Sequence, residues 1–268
     1  MISHSDGMLA AAIDAARQAG ALLRTYWERG VVAEYKGAID LVTEADRASE
    51  ALILDMLSRH FPDHRFHGEE TGENGGHSSH VWLIDPLDGT TNFAHGYPQF
   101  SVSIALQIDG QTELGVVLDP MRDELFAARR GHSVSLNGRP IRVSVTLDLA
   151  HSLLVTGFPY DRQTSEHNNI REHQAFLMRS QGVLRAGSAA LDLAAVASGR
   201  LDGYWEFKLN PWDWAAGILL VQEAGGWVTD EQGGAVDPKP FGVVASNGRI
   251  HGEMLGVLRQ LDSLRTME

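Results

Sequence analysis

No cysteine occurs among the 268 residues. Its absence excludes disulfide frameworks, thiolate zinc sites and cysteine nucleophiles together. Basic residues are also scarce, with 22 Lys and Arg against 35 Asp and Glu and a net charge of −13. Such an acidic surface repels nucleic acid and anionic membrane, because DNA and RNA binding rests largely on contacts to phosphate; neither is expected as a partner. A ligand that is itself a phosphate needs a local reversal of sign. Long apolar runs are missing too: stretches such as Ala215 to Val221 fall well below the roughly 18 residues of a spanning helix. The segment from Met1 to Ala10 has no basic n-region and carries Asp6, so no signal peptide is expected and a cytoplasmic location is the default.

The chain is long enough for one large domain or two small ones, at roughly 100 to 200 residues each, and its core needs no staples. Leu9, Ile13, Ala16, Leu23 and Trp27 keep a helical period up to Gly30. A second helix is predicted from Thr43 to about His60, closed by Pro62. Val81 to Ile84 is a continuous apolar run, which predicts a buried strand whose end delivers Asp85. Phe100 to Ile108 alternates with period two, the clearest strand pattern present. Asp119-Pro120 and Asn137-Gly138 mark hairpins. From Ser152 onward strand and helix alternate, with helices predicted over Glu166 to Arg179, Ser188 to Ser198 and Asn210 to Ala224. The expected class is therefore α/β, with an antiparallel-rich α+β first half (about 1–148) and an α/β second half (about 149–268). No linker separates them, so a single unit with a cleft between its halves is expected.

The most informative stretch is Trp82-Leu-Ile-Asp85-Pro-Leu-Asp88-Gly-Thr90-Thr-Asn92-Phe93. Two carboxylates three residues apart, beside a run of backbone N–H groups, make a cluster of hard oxygen ligands suited to Mg²⁺. The same residues also fit an ordinary turn at Asp88-Gly89. Further acids stand at Gly68-Glu69-Glu70, Asp40-Leu-Val-Thr43-Glu-Ala-Asp46 and Asn210-Pro211-Trp212-Asp213. Thr43 with Asp46 also reads as a capping box, and Asn210, Pro211 and Asp213 as a helix start. Histidines at 60, 64 and 67 or at 77 and 80 are a weaker metal candidate, since Pro62 interrupts the first group and no H-E-x-x-H pattern occurs.

Glu69-Glu70, the Asp85 to Phe93 motif and Pro211-Trp212-Asp213-Trp-Ala-Ala-Gly occur in an order and spacing that resemble the inositol monophosphatase family from about Leu9 to the last helix. The resemblance implies a layered αβαβα sugar-phosphatase fold with the active site between the halves, a homodimer and sensitivity to Li⁺. It implies that Glu69, Asp85 and the Leu87 carbonyl hold a first Mg²⁺, that Asp85, Asp88 and Asp213 hold a second, and that Glu69 helps hold a hydrated third. Asp46 and Thr90 match the pair that orients the attacking water, and Lys36 the lysine near the metals. Asp88, Gly89 and Thr90 would meet the phosphate, Gly187, Ser188 and Ala189 the opposite wall, and Glu206 the hydroxyls of the substrate.

Electrostatics independently favours metals. Two carboxylates about 4 Å apart repel by about 4 kcal/mol at an effective dielectric near 20, so four of them cannot converge bare. Divalent ions remove that repulsion and turn an acidic protein into a phosphate receptor. The activity expected is Mg²⁺-dependent hydrolysis of a small phosphate monoester, inositol 1-phosphate foremost, by direct attack of water. Histidinol phosphate, fructose bisphosphate and 3′-phosphoadenosine nucleotides are the alternative substrates. A regulatory protein with incidental phosphatase activity is the alternative of another class.

Overall fold

A computed structural model describes residues 4–30, 33–35, 41–236 and 241–265. Helix α1 (His4–Arg29) is followed by short strands β1 (Ala33–Tyr35) and β2 (Leu41–Thr43) and by α2 (Glu44–His60). Then come β3 (Arg65–Gly68), β4 (Gly72–Asn74), β5 (His80–Asp88), the short α3 (Thr90–Ala94), β6 (Ser101–Ile108), β7 (Gln111–Asp119), β8 (Glu124–Arg129), β9 (Ser135–Leu136) and β10 (Arg139–Pro140). The remainder holds β11 (Leu153–Thr156), α4 (Ile170–Leu177), β12 (Gly182–Leu184), α5 (Ala189–Ala197), β13 (Gly203–Phe207), α6 (Pro211–Glu223), β14 (Trp227–Thr229), β15 (Gly242–Ser246) and α7 (His251–Arg265).

Eight strands form a sheet in the order β10-β9-β8-β7-β6-β5-β3-β4, antiparallel except where β3 runs beside β5. Five more form a mixed sheet, β12-β11-β13-β15-β14, in which β11 is parallel to both neighbours. Helices α1 and α2 cover one face of the large sheet, α5 and α6 fill the space between the sheets, and α4 and α7 cover the far face of the small one. The result is five layers, αβαβα, and the fold class read from the sequence holds. Among the described residues no helix is long and apolar enough to cross a membrane.

The period-two pattern of the large sheet separates two cores rather than core from solvent. Trp82, Ile84, Val102, Ile104 and Leu106 face α1 and α2, while Leu83 and Ala105 face α5 and α6. Ser101 and Ser103, which alternate with the large residues, are buried as well. They are small because α6 lies close: a Cβ on Gly115 of β7 would fall on the backbone of Ala216, so only glycine fits there. That proximity carries the start of α6, and with it Asp213, to the sheet.

Two elements differ from the sequence reading. The helix expected from Glu166 begins only at Ile170, because Asn169 adopts a left-handed backbone (φ 67°). Its buried amide nitrogen donates to Thr156 Oγ1 (2.7 Å) and the Gly157 carbonyl (2.6 Å), and its oxygen accepts from Trp205 Nε1 (2.6 Å). Tertiary hydrogen bonds there override helical periodicity. The strand expected to stop at Asp85-Pro86 continues to Asp88 through a bulge.

Candidate active site

The bulge in β5 is what presents the acidic motif. Asp85 pairs with Ser103 and Asp88 with Ser101, so β5 carries an extra residue over that interval. Pro86 has no N–H to give to the ladder, which makes a bulge the natural arrangement. Its carbonyl accepts instead from Ser49 Oγ on α2 at 2.9 Å. The Asp85 carboxylate bends back to accept from Leu87 N–H at 3.0 Å. Asp88 reaches across to the start of α5, where Oδ2 accepts from Ser188 Oγ (2.5 Å) and Ala190 N–H (2.8 Å) and Oδ1 from Ala189 N–H (3.2 Å). One aspartate thus ties the first half of the chain to the second, with the N-terminal charge of a helix as its partner.

Asp213 arrives on the first turn of α6. Its Oδ2 accepts from Asn210 N–H at 2.7 Å, completing a capping box behind Pro211. Glu69 sits in the turn between β3 and β4, and that turn is held by a residue the sequence reading passed over. Glu50, 1% exposed on α2, accepts from Glu70 N–H (2.9 Å) and Thr71 N–H (2.8 Å). Gly68 lets it approach, since a Cβ there would collide with the Glu50 carboxyl. Glu50→Ala should leave the protein folded and raise the Mg²⁺ concentration for half-maximal activity by about 10–100-fold, the usual effect of removing a group that orients a ligand. A Mg²⁺ titration of turnover checks this; an unchanged midpoint would mean that the turn holds itself.

Asp46 is fully buried at the start of α2. Oδ2 accepts from Thr43 N–H (2.8 Å) and Thr43 Oγ1 (2.5 Å), while Oδ1 lies 3.0 Å from Thr90 Oγ1. The capping reading of Asp46 thus holds for Oδ2, and Oδ1 is left to meet Thr90. Thr90 Oγ1 also lies 3.1 Å from the Leu87 carbonyl. Gly89, whose φ of 101° requires glycine, turns the chain into α3. The first N–H groups of a helix have no partner within it, and here they open beside the acidic motif.

Glu206 of β13 is 9% exposed and its Oε2 accepts from Tyr204 Oη at 2.9 Å. Gly157 makes room for it, since a Cβ at that position would fall on the carboxyl group.

Glu69, Asp85, Leu87, Asp88, Gly89, Thr90, Gly187, Ser188, Ala189, Glu206 and Asp213 all line one pocket. Asp46 stands directly behind Thr90. Lys36 and Asp40 lie outside the described residues. Burial first, and then the mutual repulsion of Glu69, Asp88 and Asp213, push the Asp85 carboxyl well above the ordinary range. Asp213 is raised in the same way by burial and Glu69, and Asp88 by burial against the donors that hold it. Burial also raises Asp46. Glu206 is pushed up to about 7, chiefly by burial.

A family model described as the inositol monophosphatase family matches residues 4–263. An inositol-1-monophosphatase from Synechocystis is 49% identical over 245 residues, 91% of this chain and 85% of that protein. The Nus factor SuhB of Escherichia coli K12 is 46% identical over 255 residues, 94% of this chain and 96% of its own. The solved inositol monophosphatase of Anabaena superposes with a TM-score of 0.89 at 46% identity, covering 96% of this chain and 97% of that one. The chain belongs to the inositol monophosphatase family. Members are phosphatases of small phosphate monoesters and are generally metal-dependent.

The donor set fits such a metal. Carboxylates with a backbone carbonyl among them suit a hard divalent cation, and their raised proton affinity measures the repulsion that a cation relieves. Among the described residues no three His, Asp or Glu side chains already stand in a ligating arrangement. Mg²⁺ does not need a preformed group, because it retains several waters and completes its shell with oxygens of the substrate's phosphate. The histidine alternative loses its geometry: His64 Nδ1 accepts from Trp82 Nε1 (3.1 Å), and the ring stacks on Phe61 and His80 at the edge of the sheet.

Proposed function

We propose that this phosphatase hydrolyses inositol 1-phosphate with Mg²⁺, two or three ions per site, by direct attack of water. The observation that carries the reading is the convergence of Glu69, Asp85, Asp88 and Asp213, from the β3–β4 turn, β5 and α6, on one pocket that Glu206 also lines. Glu69, Asp85 and the Leu87 carbonyl would hold one ion; Asp85, Asp88 and Asp213 a second; Glu69 would share a third. Bound there, the ions would supply the positive charge that receives the phosphate, activates the water and stabilises the leaving oxygen.

The residues of the chain then have separable tasks. Thr90 Oγ1, by donating to Asp46 Oδ1, turns its lone pairs to the pocket, where they can accept from and orient the attacking water. Thr43 fixes Asp46 from behind, so its Oδ1 can take up the proton passed through Thr90; a carboxyl raised by burial is better suited to this than an ordinary one. The N–H groups of Gly89 and Thr90 would bind phosphate oxygens. Ser188 and Ala189 spend their donors on Asp88, so with Gly187 they shape the opposite wall. Glu206 would accept from the hydroxyls of inositol. Lys36 would stand near the metals. The whole chain would act as one unit, paired as a homodimer in the cytoplasm.

The deciding experiment is a panel of phosphate monoesters assayed with Mg²⁺. Inositol 1-phosphate should show the highest kcat/KM, with histidinol phosphate, fructose bisphosphate and 3′-phosphoadenosine nucleotides well below it; a nucleotide or histidinol phosphate in first place would overturn the substrate assignment. Li⁺ should inhibit, and Ca²⁺ should fail to replace Mg²⁺ because its longer, looser bonds hold water and phosphate out of line. Light scattering should return a mass twice the 29.3 kDa of one chain; a monomer throughout the micromolar range would remove the homodimer from the reading. The relatives named Nus factor SuhB support a second reading, a regulatory protein with incidental activity, which the same panel would favour if no monoester were turned over efficiently.

A further inference from the structure

Asp192 is the one acidic residue within α5, whose sequence is otherwise apolar (Ala-Ala-Leu-Asp-Leu-Ala-Ala-Val-Ala). It is 2% exposed, yet among the described residues its carboxyl has no hydrogen bond and no ion pair. Its oxygens nevertheless keep some access to solvent, because it lines the same pocket as Glu206 and Arg185. The charged groups that act on it are Glu206, Asp88 and Arg185, all on the walls of that pocket.

Packing gives no reason for a carboxylate here. Ser188 already caps the helix, accepting from Leu191 N–H at 3.3 Å, and Asp88 already occupies the N–H groups of Ala189 and Ala190. The attraction of a first-turn acid to the helix dipole is small and falls off within a turn. It is outweighed by the cost of burying a carboxyl that the protein leaves without a partner. Asp192 also borders a groove on the outer face, but the arginines there are engaged, Arg200 with Glu124 and Arg122 with Asp119. The charges that face Asp192 lie on the cleft side.

We propose that Asp192 is a second specificity-determining carboxyl, which binds hydroxyls of the substrate's alcohol portion beside Glu206. The inference rests on reading the Glu206 end of the pocket as the alcohol side. Tyr204 occupies Glu206 Oε2, which leaves Glu206 Oε1 and both oxygens of Asp192 to face the ligand from two elements, β13 and α5. Two carboxyls on different walls can read a pair of neighbouring hydroxyls, whereas one can read them only along a single edge. The raised proton affinity of both groups lets one act as donor while the other accepts. Arg185, exposed at the rim beside them, keeps the pair from repelling a hydroxyl-rich ligand that carries a phosphate. A polyol phosphate with adjacent hydroxyls is the ligand class this end would take.

The test uses the Mg²⁺-loaded enzyme and the variants Asp192→Asn and Asp192→Ala, assayed on inositol 1-phosphate and on p-nitrophenyl phosphate, with Glu206→Gln in parallel. Asp192→Ala should lose at least about tenfold more kcat/KM on inositol 1-phosphate than on the aryl phosphate, mostly through KM, with Asn intermediate. Its melting temperature should be equal to or above that of the parent protein, a readout that a structural role would move the other way. Equal losses on both substrates, or a melting temperature lower by more than about 5 °C in both variants, would overturn the inference, as would failure of both to fold. If Glu206→Gln is selective and the Asp192 variants are not, Asp192 alone is misassigned. If none of the three is selective, the reading of that end as the alcohol side falls first and Asp192 with it.

Discussion

Asp85→Asn should abolish turnover and yet leave the protein at least as stable as the parent when no metal is present. In the proposed site Asp85 is shared by two ions, so an amide weakens both at once, while the hydrogen bond from Leu87 N–H can be kept by the amide oxygen. The expected loss is at least ~100-fold, since even groups that merely orient a ligand are worth about 10–100-fold. The stability half follows from the sign of the proton linkage. A carboxyl whose folded-state affinity for protons is raised keeps its proton longer in the native state than in the unfolded chain. Its ionisation therefore costs stability as pH rises from the ordinary carboxylate range through the raised value. Asp85 is raised by burial and by three neighbouring carboxylates, so at pH 8 in EDTA its replacement removes a destabilising charge. Mg²⁺ should raise the melting temperature of the parent and much less that of the variant. Melting curves in EDTA and in Mg²⁺, with turnover at saturating Mg²⁺, check both halves. A variant that retained more than about a tenth of parental turnover, far above the expected loss, would remove Asp85 from the metal centre.

Glu206→Gln should separate substrates rather than abolish chemistry. Glu206 stands on β13, Asp213 on α6 and Asp88 at the end of β5, so in the proposed reading Glu206 enters the shared pocket from an element that carries no metal ligand. A carboxylate there can accept from two neighbouring hydroxyls, and a site built to pair hydroxyls discriminates strongly against substrates without them. The loss on inositol 1-phosphate should exceed that on an aryl phosphate by on the order of 1–3 kcal/mol, the cost of leaving a buried polar partner unsatisfied. The variant also carries a pH signature. With Glu206 pushed up to about 7 from an ordinary 4.5, its ionisation destabilises the fold as pH climbs through that window, in full above about 7. Glu206→Gln should thus be more stable than the parent at pH 8, by up to about 3 kcal/mol, with the advantage fading toward pH 4.5. Equal losses on both substrates would mean that Glu206 serves the metals or the fold.

The acidic motifs were legible because each is a local pattern. Asp85-Pro-Leu-Asp88-Gly-Thr90 is a buried strand end running into a turn, and Asn210-Pro211-Trp212-Asp213 is a helix start; both formed as such. The caps at Thr43 and Asn210 were legible for the same reason, since their partners lie three residues away. Glu50 was not, because an acid in the middle of an amphipathic helix looks like any solvated position. Only the approach of the β3–β4 turn, 20 residues on, makes it a clamp. Asn169 was missed for a similar reason: its three side-chain hydrogen bonds go to residues remote in sequence, and nothing in Asn-Asn-Ile predicts them.

Local chemistry, then, is what the amino-acid order decides here: strand ends, caps, turns and the acids they carry, because these depend on neighbours a few residues apart. The period-two run from Phe100 was legible as a strand, but whether its small face met water or a second core depended on α6 coming within reach of Gly115. Convergence belongs to the tertiary structure alone. Glu69, Asp85, Asp88 and Asp213 come from three elements, the β3–β4 turn, β5 and α6, spread over 145 positions of the chain. They meet because α5 and α6 are held between two sheets, each helix start aimed at the bulged end of β5. The helix start that receives Asp88 is contributed by residues 100 positions away. No local propensity encodes that distance; burial of the apolar faces of α5 and α6 between the sheets does.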